Sequence, residues 1–291
     1  MKRPPQPEGP RPEDVGRAFH DACLAELEAL KPGNVHRFGE GHRMRVADFE
    51  ASARAAAPLI AEPGLGVGTR IRLAVEATMA AVGQNTNLGI LLLSAPLAAA
   101  SLDPAAGNLQ SRLVRVLGRL SVADASEAYQ GIRHAKPGGL GEAPRHDVSL
   151  EPEVTLLEAM RQAETRDRIA WNYTHAFADI FALGLPALEQ ARARWTERPW
   201  TVTSLYLAFL GSHPDSLIER KFGGAVARQV LEEAHAMAAR LAASPNPEEM
   251  APRLLDFDRS LKARGLNPGT SADLTVATLF ADALQALETG R

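Results

Sequence analysis

The stretch Pro12–Leu30, PEDVGRAFHDACLAELEAL, carries Val15, Phe19, Cys23, Leu24, Leu27 and Leu30 at spacings of three and four and then meets Lys31-Pro32-Gly33. Apolar residues at that interval share one face of an α-helix, and Pro-Gly ends it, because proline breaks the hydrogen-bond ladder and glycine accepts the turn. The reading is a helix followed by a breaker. Ala, Leu, Glu and Arg at helical period dominate the rest of the chain too, with little of the strict alternation that marks strands.

Working outward, the pattern predicts helices over Val46–Ile60, Thr69–Val82, Leu88–Ala100, Leu109–Leu120 and Ala123–Arg133. It continues over Glu153–Leu183, Leu185–Trp195, Thr201–Gly211, Ser216–Ala243, Pro247–Arg264 and Ser271–Glu288. The expected fold class is all-α, one multi-helix domain over residues 12–291 behind a proline-stiffened tail at 1–11, with a boundary near residue 150 as the alternative. Gly- and Pro-rich loops separate the helices at 62–68, 136–152, 244–247 and 265–269, and the longest of them, Lys136–Pro152, is a candidate lid or site wall.

The composition excludes several classes of function. The 291 residues carry 32 Lys plus Arg against 35 Asp plus Glu, a formal charge of −3, which is not the excess of cations that phosphate-backbone binding requires. With 45% hydrophobic and 23% charged residues the chain is outside the disordered regime. The single cysteine, Cys23, is expected to pack rather than bridge. The uncharged run Leu88–Leu102 is shorter than the roughly 20 residues that span a bilayer, and Met1–Pro10 has no apolar core of a secretory signal. These features predict a cytoplasmic protein.

The polar chemistry gathers at predicted helix ends, where backbone donors are free. At Lys31-Pro32-Gly33-Asn34-Val35-His36 a cation, an amide and an imidazole follow a helix stop; the lysine can meet phosphate, or the segment is a plain stop signal. In Gly83-Gln84-Asn85-Thr86-Asn87-Leu88-Gly89, Asn85 or Thr86 can cap the next helix, whose first N–H groups suit a phosphate. Glu76, in a helix of small side chains just before, can hold Mg²⁺, act as a base, or sit on a solvated face.

A third cluster, Lys136-Pro137-Gly138-Gly139-Leu140-Gly141-Glu142-Ala143-Pro144-Arg145-His146-Asp147, combines glycines with Glu142, His146 and Asp147, which can reach a metal or a hydroxyl, or form a surface loop. The fourth, Asn267-Pro268-Gly269-Thr270-Ser271-Ala272-Asp273, opens the last helix: Thr270 or Ser271 is a natural cap, and Asp273 falls in the first turn. The same groups make an Mg²⁺-phosphate site. Asp215-Ser216-Leu217-Ile218-Glu219-Arg220-Lys221 adds a cationic candidate. Zinc-spaced histidine pairs, a Gly-x-Ser-x-Gly elbow and a strand-borne dinucleotide fingerprint are absent.

Taken in order from about Cys23 to Leu284, these motifs resemble the triphosphoribosyl-dephospho-coenzyme A synthase family, helical enzymes that prepare a prosthetic-group precursor for citrate and malonate decarboxylases. The resemblance rests on Lys31-Pro32-Gly33, Glu76 with Met79, Asn85-Thr86-x-x-Gly89, Asp215 with Arg220 and Lys221, and Asn267 to Leu274. It implies transfer of the triphosphoribosyl part of ATP to a ribose hydroxyl of dephospho-coenzyme A with loss of adenine. Displacement at a glycosidic carbon through an oxocarbenium-like state needs a base and an electrostatic clamp for the triphosphate.

On that resemblance Glu76 and Asp273 are the expected catalytic and Mg²⁺-holding carboxylates, their division of labour open. Lys31, Asn34, His36, Asn85, Thr86, Asn87, Arg220, Lys221, Asn267 and Ser271 are the expected substrate and phosphate contacts. The decarboxylase-linked members carry His-Lys where Asn87-Leu88 stands and Arg-Gly-Glu-Ala where Leu140-Gly141-Glu142-Ala143 stands, so the chain is similar to an archaeal and methylotroph branch. The alternatives are a different acceptor in one-carbon coenzyme synthesis, of tetrahydromethanopterin or methanofuran type, and a non-catalytic nucleotide-binding module. The expected partner is a small-molecule nucleotide, with no nucleic acid and no membrane; a homodimer stays open.

Overall fold

The computed structural model describes residues 9–138 and 146–290, and within them the regular elements are helices, with two isolated β-bridges at His36–Gly39 and Gly41–Met44. In order come α1 (Pro12–Glu28), α2 (Val46–Ala61), α3 (Val67–Val82), α4 (Leu88–Leu102), α5 (Leu109–Gly118), α6 (Val122–Ala135) and α7 (Leu156–Ala163). Then follow α8 (Arg168–Thr174), a π-helical turn (Asp179–Gly184), α9 (Leu185–Arg194), α10 (Arg198–Leu210), α11 (Ser216–Phe222), α12 (Gly224–Ala243), a 3₁₀ turn (Pro247–Met250), α13 (Ala251–Ala263) and α14 (Gly269–Thr289). The all-α expectation holds. No helix is long and apolar enough to cross a membrane among the described residues.

Three long predicted helices are broken, each for a local reason. Glu153–Leu183 divides because the Asp167 carboxylate accepts the N–H groups of Ile169 and Ala170 at 2.9 and 3.1 Å and so starts α8 afresh. Further on, Ala176 and Phe177 turn the backbone through φ of 50° and 57° before the π-helical turn. Ser216–Ala243 divides at Gly223, whose φ of 88° lies outside the right-handed region. In the third, the Asn246 side chain caps a short 3₁₀ turn ahead of α13.

The apolar faces meet in two clusters. The larger joins α1 to α6 with α10 and α14, and Phe19 of α1 stands edge-on to Phe280 of α14 at 5.7 Å. The smaller gathers α10, α12 and α13 around Tyr206, Leu210, Val230 and Leu254. Helices from both sides of residue 150 share the larger cluster, and α10 contributes to both. Cys23 is buried in packing, as expected.

Two buried arginines close helix C-termini that no glycine caps. Arg70 donates to the Ile60 carbonyl at 2.6 Å at the end of α2, and Arg112 donates to the Ala100 carbonyl at 2.7 Å at the end of α4 while pairing with Glu288. The second holds the end of α4 that lies opposite its N-terminal turn.

Candidate active site

Four helices, α4, α8, α11 and α14, begin at the wall of one cavity of about 940 Å³, whose lining also includes Glu26 of α1 and Tyr129 of α6. Helix N-termini carry partial positive charge and free N–H groups. At α4 the Asn85 carboxamide oxygen accepts from Leu88 N–H at 3.1 Å, and among the described residues the N–H groups of Gly89 and Ile90 meet no acceptor. An anion-sized set of donors therefore faces the cavity at the Asn-Thr turn.

The floor is a connected polar chain built from the first and last motifs. Lys31, fully buried, donates to the Glu26 carboxylate and to Asn34 Oδ1 at 3.0 Å. Asn34 Nδ2 in turn donates to Asn267 Oδ1 at 2.9 Å. Gly33 makes this meeting feasible: its φ is 84°, and a Cβ there would fall 2.8 Å from Pro268 Cδ. Burial raises Glu26 above the usual carboxylate range and lowers Lys31, and their contact opposes both shifts.

Asp273 stands beside Glu26 without such a partner. Its carboxylate lines the cavity and makes no hydrogen bond or ion pair among the described residues. Burial first, and then the charges of Asp215, Glu26 and Asp167, push its carboxyl well above the ordinary range. Asp215 is fully engaged: one oxygen accepts from Leu217 and Ile218 N–H at the start of α11, and the other accepts from Ser271 N–H and Oγ, both at 2.8 Å, at the start of α14. One carboxylate thereby fixes two helix starts.

The more exposed part of the lining is mixed in charge, with Asp147, Asp167 and Glu219 among its cations. Those cations are Lys136, Arg166, Arg220 and Lys221, and Arg220 is oriented by Asp167, its Nη1 donating to Oδ2 at 2.9 Å. The Nε of Arg220 is buried and has no acceptor. The buried carboxylates Glu26 and Asp273 and the less buried cations Arg166, Arg220 and Lys221 thus share one cavity.

Of the residues expected from sequence, Asn34, Asn85, Thr86, Asn87, Arg220, Lys221, Asn267 and Asp273 line this cavity. Lys31 lies behind the wall, held by Glu26. His36 is buried away from the cavity with its Nε2 3.3 Å from Asp258, and Ser271 is spent on Asp215. Glu76 is outside the lining: its carboxylate accepts from Arg72 at 2.8 Å on the α3 surface that faces Glu127, and it is half-exposed. Small neighbouring side chains left room for a surface ion pair.

Asn87 turns its amide to Thr78 Oγ1 at 3.1 Å, and Thr86 shares a 2.6 Å hydrogen bond with Ser52, so both shape the turn as well as line the wall. In the middle loop, Lys136, Pro137, Gly138, His146 and Asp147 line the cavity; Glu142 and the rest of 139–145 lie outside the described residues. Glu26 is the residue that the sequence reading missed. Its signal was a carboxylate on the apolar face of α1, within one turn of Cys23 and Leu30.

No curated protein matches the chain. The solved structures include one from Archaeoglobus fulgidus, named for triphosphoribosyl-dephospho-coA synthase, that is 24% identical and superposes with a TM-score of 0.63 over 83% of this chain and 99% of that one. That likeness supports the fold. The family model described as ATP:dephospho-CoA triphosphoribosyl transferase matches residues 12–291, every helix from α1 to α14. The chain belongs to the ATP:dephospho-CoA triphosphoribosyl transferase family.

Proposed function

We propose that the cavity between α1, α4, α8, α11 and α14 is where the family reaction takes place, the triphosphoribosyl group of ATP passing to a ribose hydroxyl of dephospho-CoA as adenine leaves. The observation that carries this reading is that one cavity brings the free α4 N–H groups and the cations Arg166, Arg220 and Lys221 together with the buried carboxylates Glu26 and Asp273. Positive charge develops at the anomeric carbon while the triphosphate stays anionic, so each end of the donor meets its complement. At about 940 Å³ the cavity has the size of a site for one large ligand or two partly stacked ones.

Arg220, held by Asp167, and Lys221 are assigned to the triphosphate, with the Asn85–Gly89 turn as its backbone seat. Asn34 and Asn267 orient a ribose hydroxyl by amide hydrogen bonds. Asp273 is assigned to Mg²⁺. No cluster of three or more acidic, histidine or cysteine ligands stands there among the described residues, so a single oxygen donor without a protein partner would hold the cation with phosphate and water completing its shell. When bound, Mg²⁺ neutralises triphosphate charge. ATP as donor, and the charge balance of the chain, support a small-molecule partner in the cytoplasm rather than nucleic acid. All the assigned residues come from one chain.

The reading is tested by product formation from ATP, Mg²⁺ and dephospho-CoA. Asp273→Asn is expected to lower turnover by about a hundredfold or more with melting nearly unchanged. Glu76→Gln is expected to stay within about threefold of the parent, as for a surface substitution. The reverse order would overturn the assignment.

A further inference from the structure

Glu26 and Lys31 form a buried charged pair on the floor of the cavity to which no proton-transfer step is yet assigned. Lys31 is 0% exposed and Glu26 4%, yet Glu26 reaches the lining and Lys31 does not. Beside the main cavity Glu26 also lines a small second pocket whose wall is mostly apolar, with Phe49, Ala53, Ile90 and Asn87. Burying two charges is expensive unless geometry repays it, and a methionine or leucine pair would pack there at no such expense. Lys31 also cannot serve as a phosphate ligand without leaving Glu26 behind as a lone buried charge.

We propose that Glu26 is the base that takes the proton from the acceptor hydroxyl, and that Lys31 is a positioning residue that holds its carboxylate toward the cavity. This rests on the cavity being the transfer site. In the step, the hydroxyl oxygen of dephospho-CoA bonds to the anomeric carbon of ATP as its proton passes to Glu26. The glycosidic C–N bond breaks, its electron pair goes to adenine, and the adenine nitrogen takes a proton from solvent. Glu26 then returns its proton to solvent.

Lys31 suits the supporting role because two of its three donors go to Glu26 and Asn34, the latter fixed by Asn267. The carboxylate is thereby tied to the motif that also carries Asp273. A dry floor with one exposed edge is the setting in which a carboxylate is a stronger proton acceptor than in water.

The test measures steady-state adenine release with ATP, Mg²⁺ and dephospho-CoA, together with ATP affinity by calorimetry, on Glu26→Gln, Lys31→Met and the double variant. Glu26→Gln is expected to lose about a hundredfold or more in kcat with ATP affinity within about threefold. Lys31→Met is expected to lower kcat at least about tenfold with KM for ATP unchanged, since it acts through Glu26 and not on phosphate. If a single variant fails to fold, the double variant leaves no unpaired buried charge and is read instead. A folded Glu26→Gln or double variant with near-parental kcat overturns the proposal. So does a Lys31→Met that raises KM for ATP and spares kcat. If the parent itself releases no adenine with dephospho-CoA, the reading of the cavity fails first and this inference with it.

Discussion

The carboxylate of Asp273 occupies the space where a side chain at position 89 would begin: a Cβ built on Gly89 overlaps its Oδ2 and lies 2.5 Å from its Cγ. The first turn of α4 and the first turn of α14 are therefore pressed together at a carboxylate, and only a glycine in α4 allows it. Ile169 Cδ1, 2.8 Å from the same point, closes the other side. Gly89→Ala has ordinary helical backbone geometry and nowhere to put its methyl group. It is expected to displace Asp273 and cut kcat at least about tenfold, with an overpacking loss of about 1–3 kcal/mol. Turnover and thermal melting of the one variant check both.

Asp215 ties the starts of α11 and α14 through four hydrogen bonds. An asparagine has a single acceptor oxygen and cannot serve both helices. Asp215→Asn is expected to lose about 2 kcal/mol in urea unfolding and to weaken ATP binding, because Arg220 and Asp273 sit on the two helices that it joins. Unchanged stability would contradict that role.

Asp179 sets an acid limit. Burial opposes its ionisation, but the His213 ring 3.4 Å away and hydrogen bonds from Arg168 and Asn172 overcome this and hold its carboxyl at about 2, below the ordinary 3.8. The folded state thus binds fewer protons than the unfolded state between those values. The stabilisation, about 2 kcal/mol, is complete above roughly pH 4 and disappears as pH falls through about 2. Arg168→Met leaves the carboxylate buried with fewer donors, so the acid-unfolding midpoint is expected to move to higher pH.

Arg112 closes the far end of α4, donating to the Ala100 carbonyl at 2.7 Å and pairing with Glu288 of α14. Arg112→Met keeps the bulk and removes the donors. A loss of about 2 kcal/mol is expected, from carbonyls left without partners. Activity per folded molecule is expected to be preserved, since the site lies at the other end of the helix.

The helices were legible because their apolar spacing is local, and α1 shows it: Pro12 opens it and the apolar stripe ends before Lys31-Pro32-Gly33. The breaks at Asp167 and Gly223 were not. Helix-forming residues continue across Asp167, where a side-chain cap decides; at Gly223-Gly224 the glycine pair was a local breaker that the helical period on both sides outweighed, and a positive φ decides. In the site, the polar turns at Asn85–Asn87 and Asn267–Asp273 announced themselves by composition and do converge on the cavity. Glu76 and Asp273 look alike in sequence, each an acid among small side chains. One found Arg72 at 2.8 Å on the surface while the other was carried inward by α14. Lys31 looked like a free cation because Glu26, its partner, reads as part of the preceding helix. Which acids face inward is set by the packing of α1, α4 and α14, which no short spacing encodes.

The central claim is that this cavity moves the triphosphoribosyl group of ATP to dephospho-CoA. The direct measurement is adenine release from ATP and Mg²⁺ with and without dephospho-CoA, the second product being weighed by mass spectrometry. Acceptor-dependent adenine, with a product heavier than dephospho-CoA by one triphosphoribosyl unit, is the predicted result. Saturable ATP binding without adenine release in the presence of dephospho-CoA would contradict it.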